Sequence, residues 1–260
     1  MTLDTLSLQG KVAIVTGSGR ENGIGAGIAL ALARNGASVV VNHISDSTAK
    51  RAHIVATKLR EAGGQAIIVQ AGVDTPEGAK KVVQATLDGF KTNHIDILVN
   101  NAGSGGLVDI FGDLDPQDLN QVYQTNVNGP LYMINAVVPH MPTGGRIVNI
   151  SSTQAHRGHN MLLSYAASKA ALDNLTWSLA GVLGRIKGIT VNSVLPGPVL
   201  TDIVPPQYAE QFMQPEIDIT RAADRAGTPE DIGDAVLLLV NEKARWITGQ
   251  NIGVSGGVTR

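Results

Sequence analysis

The chain has 260 residues, 43% hydrophobic and 16% charged, with a formal net charge of −2 and no cysteine. That length buries a full core, and the balance excludes a basic nucleic-acid stripe, an acidic tail, a disulfide scaffold and any cysteine-based metal site or nucleophile. The apolar runs fall far short of the roughly 20 residues a membrane helix needs, and "MTLDTLSLQG" has no basic segment followed by an apolar one, so a soluble, cytoplasmic protein without a signal peptide is expected.

The elements follow a strand–helix rhythm. "VAIV" (12–15) reads as a first strand, "TGSGRENGIG" (16–25) as a glycine-rich turn and "AGIALALARNG" as a helix stopping at Gly36. "SVVV" (38–41) is a second strand, followed by the helix "STAKRAHIVATKLREAGG". "AIIV" (66–69) precedes "TPEGAKKVVQATLDGF", a helix capped by Thr75 with Pro76 in its first turn. "DILV" (96–99) leads to "DPQDLNQVYQTNVNGPLYMINAVVPHM", long enough for one helix crossing the domain. "RIVNI" (146–150), the helix "SYAASKAALDNLTWSLAGVLGRI", "ITVNSV" (189–194) and "QNIGV" (250–254) complete the pattern. Unalternated β-branched runs are strands covered on both faces. Their alternation with helices implies an α/β fold: a single-domain, Rossmann-type doubly wound parallel sheet of about seven strands, with helices on both faces. The proline-bearing stretch near 201–226 breaks the rhythm and reads as a lid or substrate loop, with Tyr208, Phe212 and Met213 exposed.

The glycine stretch sits at the first strand–helix junction, where amides at a helix N-terminus bind a pyrophosphate. Gly17 permits the turn, Gly23 lets backbone approach the phosphates, and Gly25 lets the helix pack closely on the strand; Gly19, Arg20 and Ile24 share this loop. Tyr165 and Lys169 are four residues apart at the start of a helical stretch and so share a face. An ammonium near a phenol favours the phenolate and lowers its pKa from about 10. A phenol so tuned exchanges a proton with a carbonyl or alcohol oxygen.

Together "TGSGRENGIG", "NNAG" (100–103), "SS" (151–152), "YAASK" (165–169) and "PGPVLTD" (196–202) resemble, in order and over nearly the whole chain, the motifs of the short-chain dehydrogenase/reductase family. The glycine loop differs by two extra residues between Gly17 and Gly23. The resemblance implies a nicotinamide cofactor and a catalytic set of Ser152, Tyr165, Lys169 and Asn126, in which Ser152 orients the substrate oxygen and Asn126 anchors a relay water near the lysine. It also implies cofactor contacts from Asn101, Gly103, Val73, Pro196, Val199 and Thr201, besides Tyr165 and Lys169. Gly72 stands where the family usually carries Asp, and Ser255 where many relatives carry Asp.

The second strand ends in Asn42 and His43 with no acid before Asp46. An acid at this strand end holds the ribose 2′-hydroxyl and repels a 2′-phosphate. Its absence, with Ser45 nearby and Arg20 able to form a bidentate phosphate contact, favours NADP(H) over NAD(H); an inward-pointing Glu21 argues the other way. Gln154, His159, Tyr208 and Phe212 are the candidate substrate contacts. His140, His156 and His159 lack partners at ligand spacing, so no metal is expected, and His156 and His159 read as loop residues. The expected activity is hydride transfer between a nicotinamide and a ketone or secondary alcohol of a small molecule. The region near His43 resembles fungal hydroxynaphthalene and polyketide-type reductases. A dehydratase or cyclase on the same fold, or an NADP-sensing binding protein, are the alternatives. By resemblance alone, a homo-oligomer, dimer or tetramer, is expected, with neither nucleic acid nor membrane as partner.

Overall fold

The β-branched runs pair into one sheet of seven parallel strands in the order β3-β2-β1-β4-β5-β6-β7. They are β1 Val12–Val15, β2 Ser38–His43, β3 Gln65–Gln70, β4 Ile97–Asn100, β5 Arg146–Ile150, β6 Thr190–Pro196 and β7 Asn251–Val254. The computed structural model describes residues 6–105, 114–158, 162–202 and 213–259. The strand order reverses at β1, whose Val15 lies beside Val41 of β2 on one side and Val99 of β4 on the other. Ligands bind at such a switch point, beyond the carboxyl ends of the strands.

The helices are α1 Ile24–Arg34, α2 Asp46–Glu61, α3 Pro76–Phe90, α4 Pro116–Tyr123, α5 Gly129–Val137, α6 Gln154–Arg157, α7 Leu163–Lys187 and α8 Pro229–Val240. Alternate strand residues feed two cores. Ala13 and Val15 pack with Ile28, Leu32, Val55, Leu59 and Val236 on one face. Val12 and Ile14 pack with Leu98, Met133, Val137, Ile147 and Leu183 on the other. Burial on both faces is the reason β1, β4, β5 and β6 show no apolar–polar alternation. Strand β7 departs from that expectation: it forms the sheet edge and its residues alternate between exposed and half-buried. Thr75 caps α3 as its position suggests, accepting the Gly78 amide.

The stretch read as one long helix is interrupted. Between α4 and α5, Gln124–Asn128 form a π-turn, closed by the Gly129 amide on the Gln124 carbonyl. The physical reason is Pro130. Its ring has no N–H and clashes with the carbonyl four residues back, at Asn126, so the α-helical ladder cannot pass through. The sequence carries the signal in "NGP" (128–130).

Candidate active site

The glycine loop leaves β1 at the switch point and enters α1. Gly17 has φ +63°, a left-handed value that favours glycine. A Cβ on Gly25 would stand 2.5 Å from Asn101 Nδ2 and 2.9 Å from the Gly17 carbonyl. Asn101 reaches across from the end of β4 and donates to the carbonyls of Thr16 at 2.8 Å and Gly17 at 3.2 Å. From β2, Asn42 accepts the Gly17 amide at 3.0 Å and donates to the carbonyls of Val69 and Ala71. Asn42 is therefore a buried strut under the loop. Helix α1 starts at Gly23 with no side-chain cap, so the amides of its first turn, including Ile24 and Gly25, are the natural partners of an anion.

Arg20 and Glu21 stand within the extended stretch of the loop. Glu21 accepts Arg51 Nε of α2 at 2.6 Å, and the same guanidinium pairs with Asp202 beyond β6. The Arg51 hydrogen bond holds the Glu21 carboxyl below its ordinary value. Glu21 is thus engaged by α2. Arg20 is exposed and makes no ion pair among the described residues. His43, buried at the end of β2, has Nδ1 3.1 Å from the Ser45 carbonyl and 3.2 Å from Thr48 Oγ1. Ser45 Oγ lies 2.7 Å from Ser47 Oγ at the start of α2. Beside Gly72, Asp74 Oδ1 lies 2.6 Å from where a Cβ would stand. Val73, beside it, is buried.

At the carboxyl end of β5, Ser151 and Ser152 are buried and Ser152 Oγ accepts the Gln154 amide at 3.2 Å. Tyr165 stands in the first turn of α7, partly exposed, with the Ser152 hydroxyl as its hydrogen-bonding neighbour. Lys169 follows one turn on, buried, its Nζ 5.7 Å from the Tyr165 ring centre and donating to the Ile150 carbonyl at 2.8 Å. Loss of water pushes the Tyr165 phenol up, against a smaller lowering by Ser152, and brings Lys169 down to about 8. The acidified phenol expected from the spacing is therefore not found in the free chain. The lysine is aimed at the Ile150 carbonyl, and loss of water decides the phenol.

The π-turn delivers Asn126, fully buried, to the same place. Its Oδ1 accepts the Ser104 amide at 2.8 Å, and its Nδ2 donates to the Ser104 carbonyl at 2.9 Å and to Ser168 Oγ at 3.0 Å. Ser168 Oγ in turn donates to the Tyr165 carbonyl at 2.7 Å. Gly103 completes the floor, since a Cβ there would stand 3.3 Å from Asn126 Oδ1 and 3.5 Å from Lys169 Nζ. Pro196 ends β6, and Val199 bridges to Gly227, bringing Thr201 to the start of the loop. Ser255 has a packing role: Gly197 lies so close that a Cβ would stand 2.7 Å from the Ser255 Cβ.

A family profile described as enoyl-(acyl carrier protein) reductase matches residues 17–259. The short-chain dehydrogenase/reductase FrzI of Cladobotryum sp. is 38% identical, over 97% of both chains. The chain belongs to the short-chain dehydrogenase/reductase family. Versicolorin reductase stcU of Emericella nidulans is 36% identical over 99% of this chain and 98% of its own. A blue fluorescent protein from a metagenomic library, solved in complex with NADPH, superposes with a TM-score of 0.89 at 35% identity, covering 98% of this chain and 100% of that one. The family is one of oxidoreductases acting on carbonyl and alcohol groups with a nicotinamide cofactor.

For this dehydrogenase/reductase the bare glycine turn, the uncapped start of α1 and the carboxylate-free end of β2 form a cradle that fits such a dinucleotide. His159, Tyr208 and Phe212 lie outside the described residues. Met213 is half-buried rather than exposed. His156 is not a loop residue: it sits in α6 and binds Asp173. Sequence reasoning missed Ser168, Asp173 and Arg51. The first two lie one helical turn from Tyr165 and Lys169, a signal available in the spacing. Arg51 carried none, because its partners are 30 and 151 residues away. A separate cleft of about 270 Å³ opens between α1, α2 and the start of α8; none of its lining residues belongs to the Tyr165 group.

Proposed function

We propose that this short-chain dehydrogenase/reductase is an NADP(H)-dependent ketoreductase, with Tyr165 as acid/base. The observation that carries the reading is the convergence of Ser152, Tyr165 and Lys169 at the carboxyl edge of the sheet, with Asn126 brought in by the π-turn. When bound, the dihydronicotinamide supplies a hydride to the carbonyl carbon. Ser152 hydrogen-bonds the carbonyl oxygen and stabilises the charge that grows on it. Tyr165 gives that oxygen its phenolic proton, and burial keeps the proton in place beforehand, which suits an acid acting in the reductive direction. Lys169 stays charged below about pH 8 and stabilises the phenolate left behind. Asn126 holds the Ser104 backbone at the edge of the site and anchors the relay that returns a proton.

The residues that would hold the cofactor are Gly17, Gly19, Gly23, Ile24 and Gly25 at the pyrophosphate, Asn101 and Gly103 behind the ribose, and Val199 and Thr201 at the carboxamide. Arg20 and Ser45 would hold a 2′-phosphate. The preference for NADP(H) is supported by Arg20 making no ion pair among the described residues, by Glu21 being occupied with Arg51, and by the NADPH bound to the metagenomic neighbour. Asp74 and Val73 would flank the adenine. The substrate class we favour is a polycyclic or polyketide-type ketone, on the resemblance of the region near His43 to fungal hydroxynaphthalene and polyketide-type reductases and on the similarity to versicolorin reductase. Gln154 stands beside Ser152 to meet it. A homo-oligomer is proposed through the exposed Trp246, 95% accessible, and the open edge at β7; light scattering reads its size.

The test is NADPH absorbance followed with a panel of polycyclic ketones, for the wild type and Tyr165→Phe. Turnover that falls by about 10²- to 10⁴-fold in the variant, with NADPH binding retained, supports the reading. NADPH binding without turnover on any ketone overturns it in favour of a sensor. Loss of substrate without an absorbance change overturns it in favour of a dehydratase or cyclase.

A further inference from the structure

Asp173 is a buried carboxylate one helical turn after Lys169 on α7, and neither the family motifs nor the proton relay uses it. Its side chain is 6% exposed. Oδ2 accepts His156 Nε2 of α6 at 2.9 Å, while Oδ1 has no hydrogen-bond partner among the described residues. A carboxylate with half its acceptors unmet is costly to bury unless a cation compensates it. The cation at hand is Lys169, four residues back on the same helix face and itself buried. His156 is half-exposed and follows Ser152 by one turn of α6, so the bond also ties the segment carrying Ser152 to the helix carrying Tyr165.

We infer that Asp173, held by His156, is a positioning residue: it keeps the Lys169 ammonium charged in its dry site and fixes the Ser152 segment against α7. The inference rests on reading Lys169 as the tuning cation. Facing Asp173 are His156 from α6 and Lys169 from its own helix. The strands beneath the next turn present Asn149 and Ser193, hydrogen-bonded to Thr176 and without charge. Arg157, next to His156, is engaged by Glu216. The attraction between Asp173 and Lys169 opposes the desolvation of the lysine.

The test is an NMR titration of the free protein carrying lysine labelled with ¹³C at Cε, the Lys169 signal being assigned by its loss in Lys169→Arg. In the wild type the midpoint is expected near 8. In Asp173→Asn it moves down by about one pH unit, and Asp173→Glu returns it part of the way. Asp173→Ser, smaller and neutral, gives the same downward shift and serves if Asp173→Asn does not fold. A midpoint that stays where it was in the neutral variants overturns the inference, even if their melting temperature falls, because a purely structural tie would do that alone. The titration needs no turnover. A shifted lysine in a protein that reduces no ketone therefore supports this inference while the ketoreductase reading fails.

Discussion

Lys169 and Gly25 show how single positions bind chemistry to shape. Burial of the lysine ammonium brings its pKa to about 8, below the value of a free side chain. The sign follows: the group is charged below that pH and is discharged as pH rises through it. The pH profile of kcat/KM for ketone reduction is expected to hold a plateau up to about pH 8 and decline above it. Tyr165 does not set that limb, since its phenol is pushed up rather than down. Gly25 is constrained by neighbours on both sides, the Asn101 amide and the Gly17 carbonyl. Gly25→Ala is expected to cost about 1–3 kcal/mol by overpacking, read as a lower urea midpoint, and to weaken NADPH binding in fluorescence titration. Both residues stood out in the sequence through their motifs. The direction of the Tyr165 shift was not legible there, because it depends on how much water reaches the ring and on where the lysine points.

Among the elements, the π-turn and the Arg51 bridge do work that no regular helix or strand does. The turn at Gln124–Asn128 rotates Asn126 inward to meet Ser104 and Ser168. Asn126→Ala leaves the Ser104 amide and Ser168 hydroxyl without that partner. It is expected to lower kcat more than it raises the KM for NADPH, as steady-state kinetics would show. Arg51 joins three separate pieces of chain: the extended glycine loop through Glu21, α2, and the segment after β6 through Asp202. All three side chains keep roughly a quarter of their surface in solvent, so the pairs contribute little to global stability. Arg51→Gln is therefore expected to leave the melting temperature within a few degrees and to raise the Kd for NADPH several-fold. An unchanged Kd in isothermal titration would show that the bridge does not order the loop. The helix limits could be read from Thr75, Pro76 and the glycine stops. The break at Asn126 needed the recognition that Pro130 removes a hydrogen bond and strikes the carbonyl four residues before it.

Across the whole molecule the two ends of the sheet divide the labour. At the amino edge, Asp96 accepts the Val12 amide and the Lys11 ammonium, both at 2.9 Å, and Arg146 pairs with Glu242 at the same distance. These contacts fix strand ends and take no part in the site. At the carboxyl edge the glycine turn, Ser152 beyond β5, and Tyr165 and Lys169 on the first turns of α7 come together. The core between them is dense, and Leu32, fully buried between α1 and the sheet, is expected to cost about 2–5 kcal/mol on change to Ala, read by urea unfolding. The sequence by itself determined the strand–helix alternation, the parallel sheet, the glycine turn after β1 and the placing of Tyr165 and Lys169 one helical turn apart, because these depend on local periodicity and on residues within a turn of one another. Only the tertiary structure decided the inward strut made by Asn42, the Arg51 bridge, the exposed edge at β7 and the bond from His156 to Asp173. Each of those joins residues distant in the chain, or depends on water excluded by elements that meet only when the sheet closes over its helices.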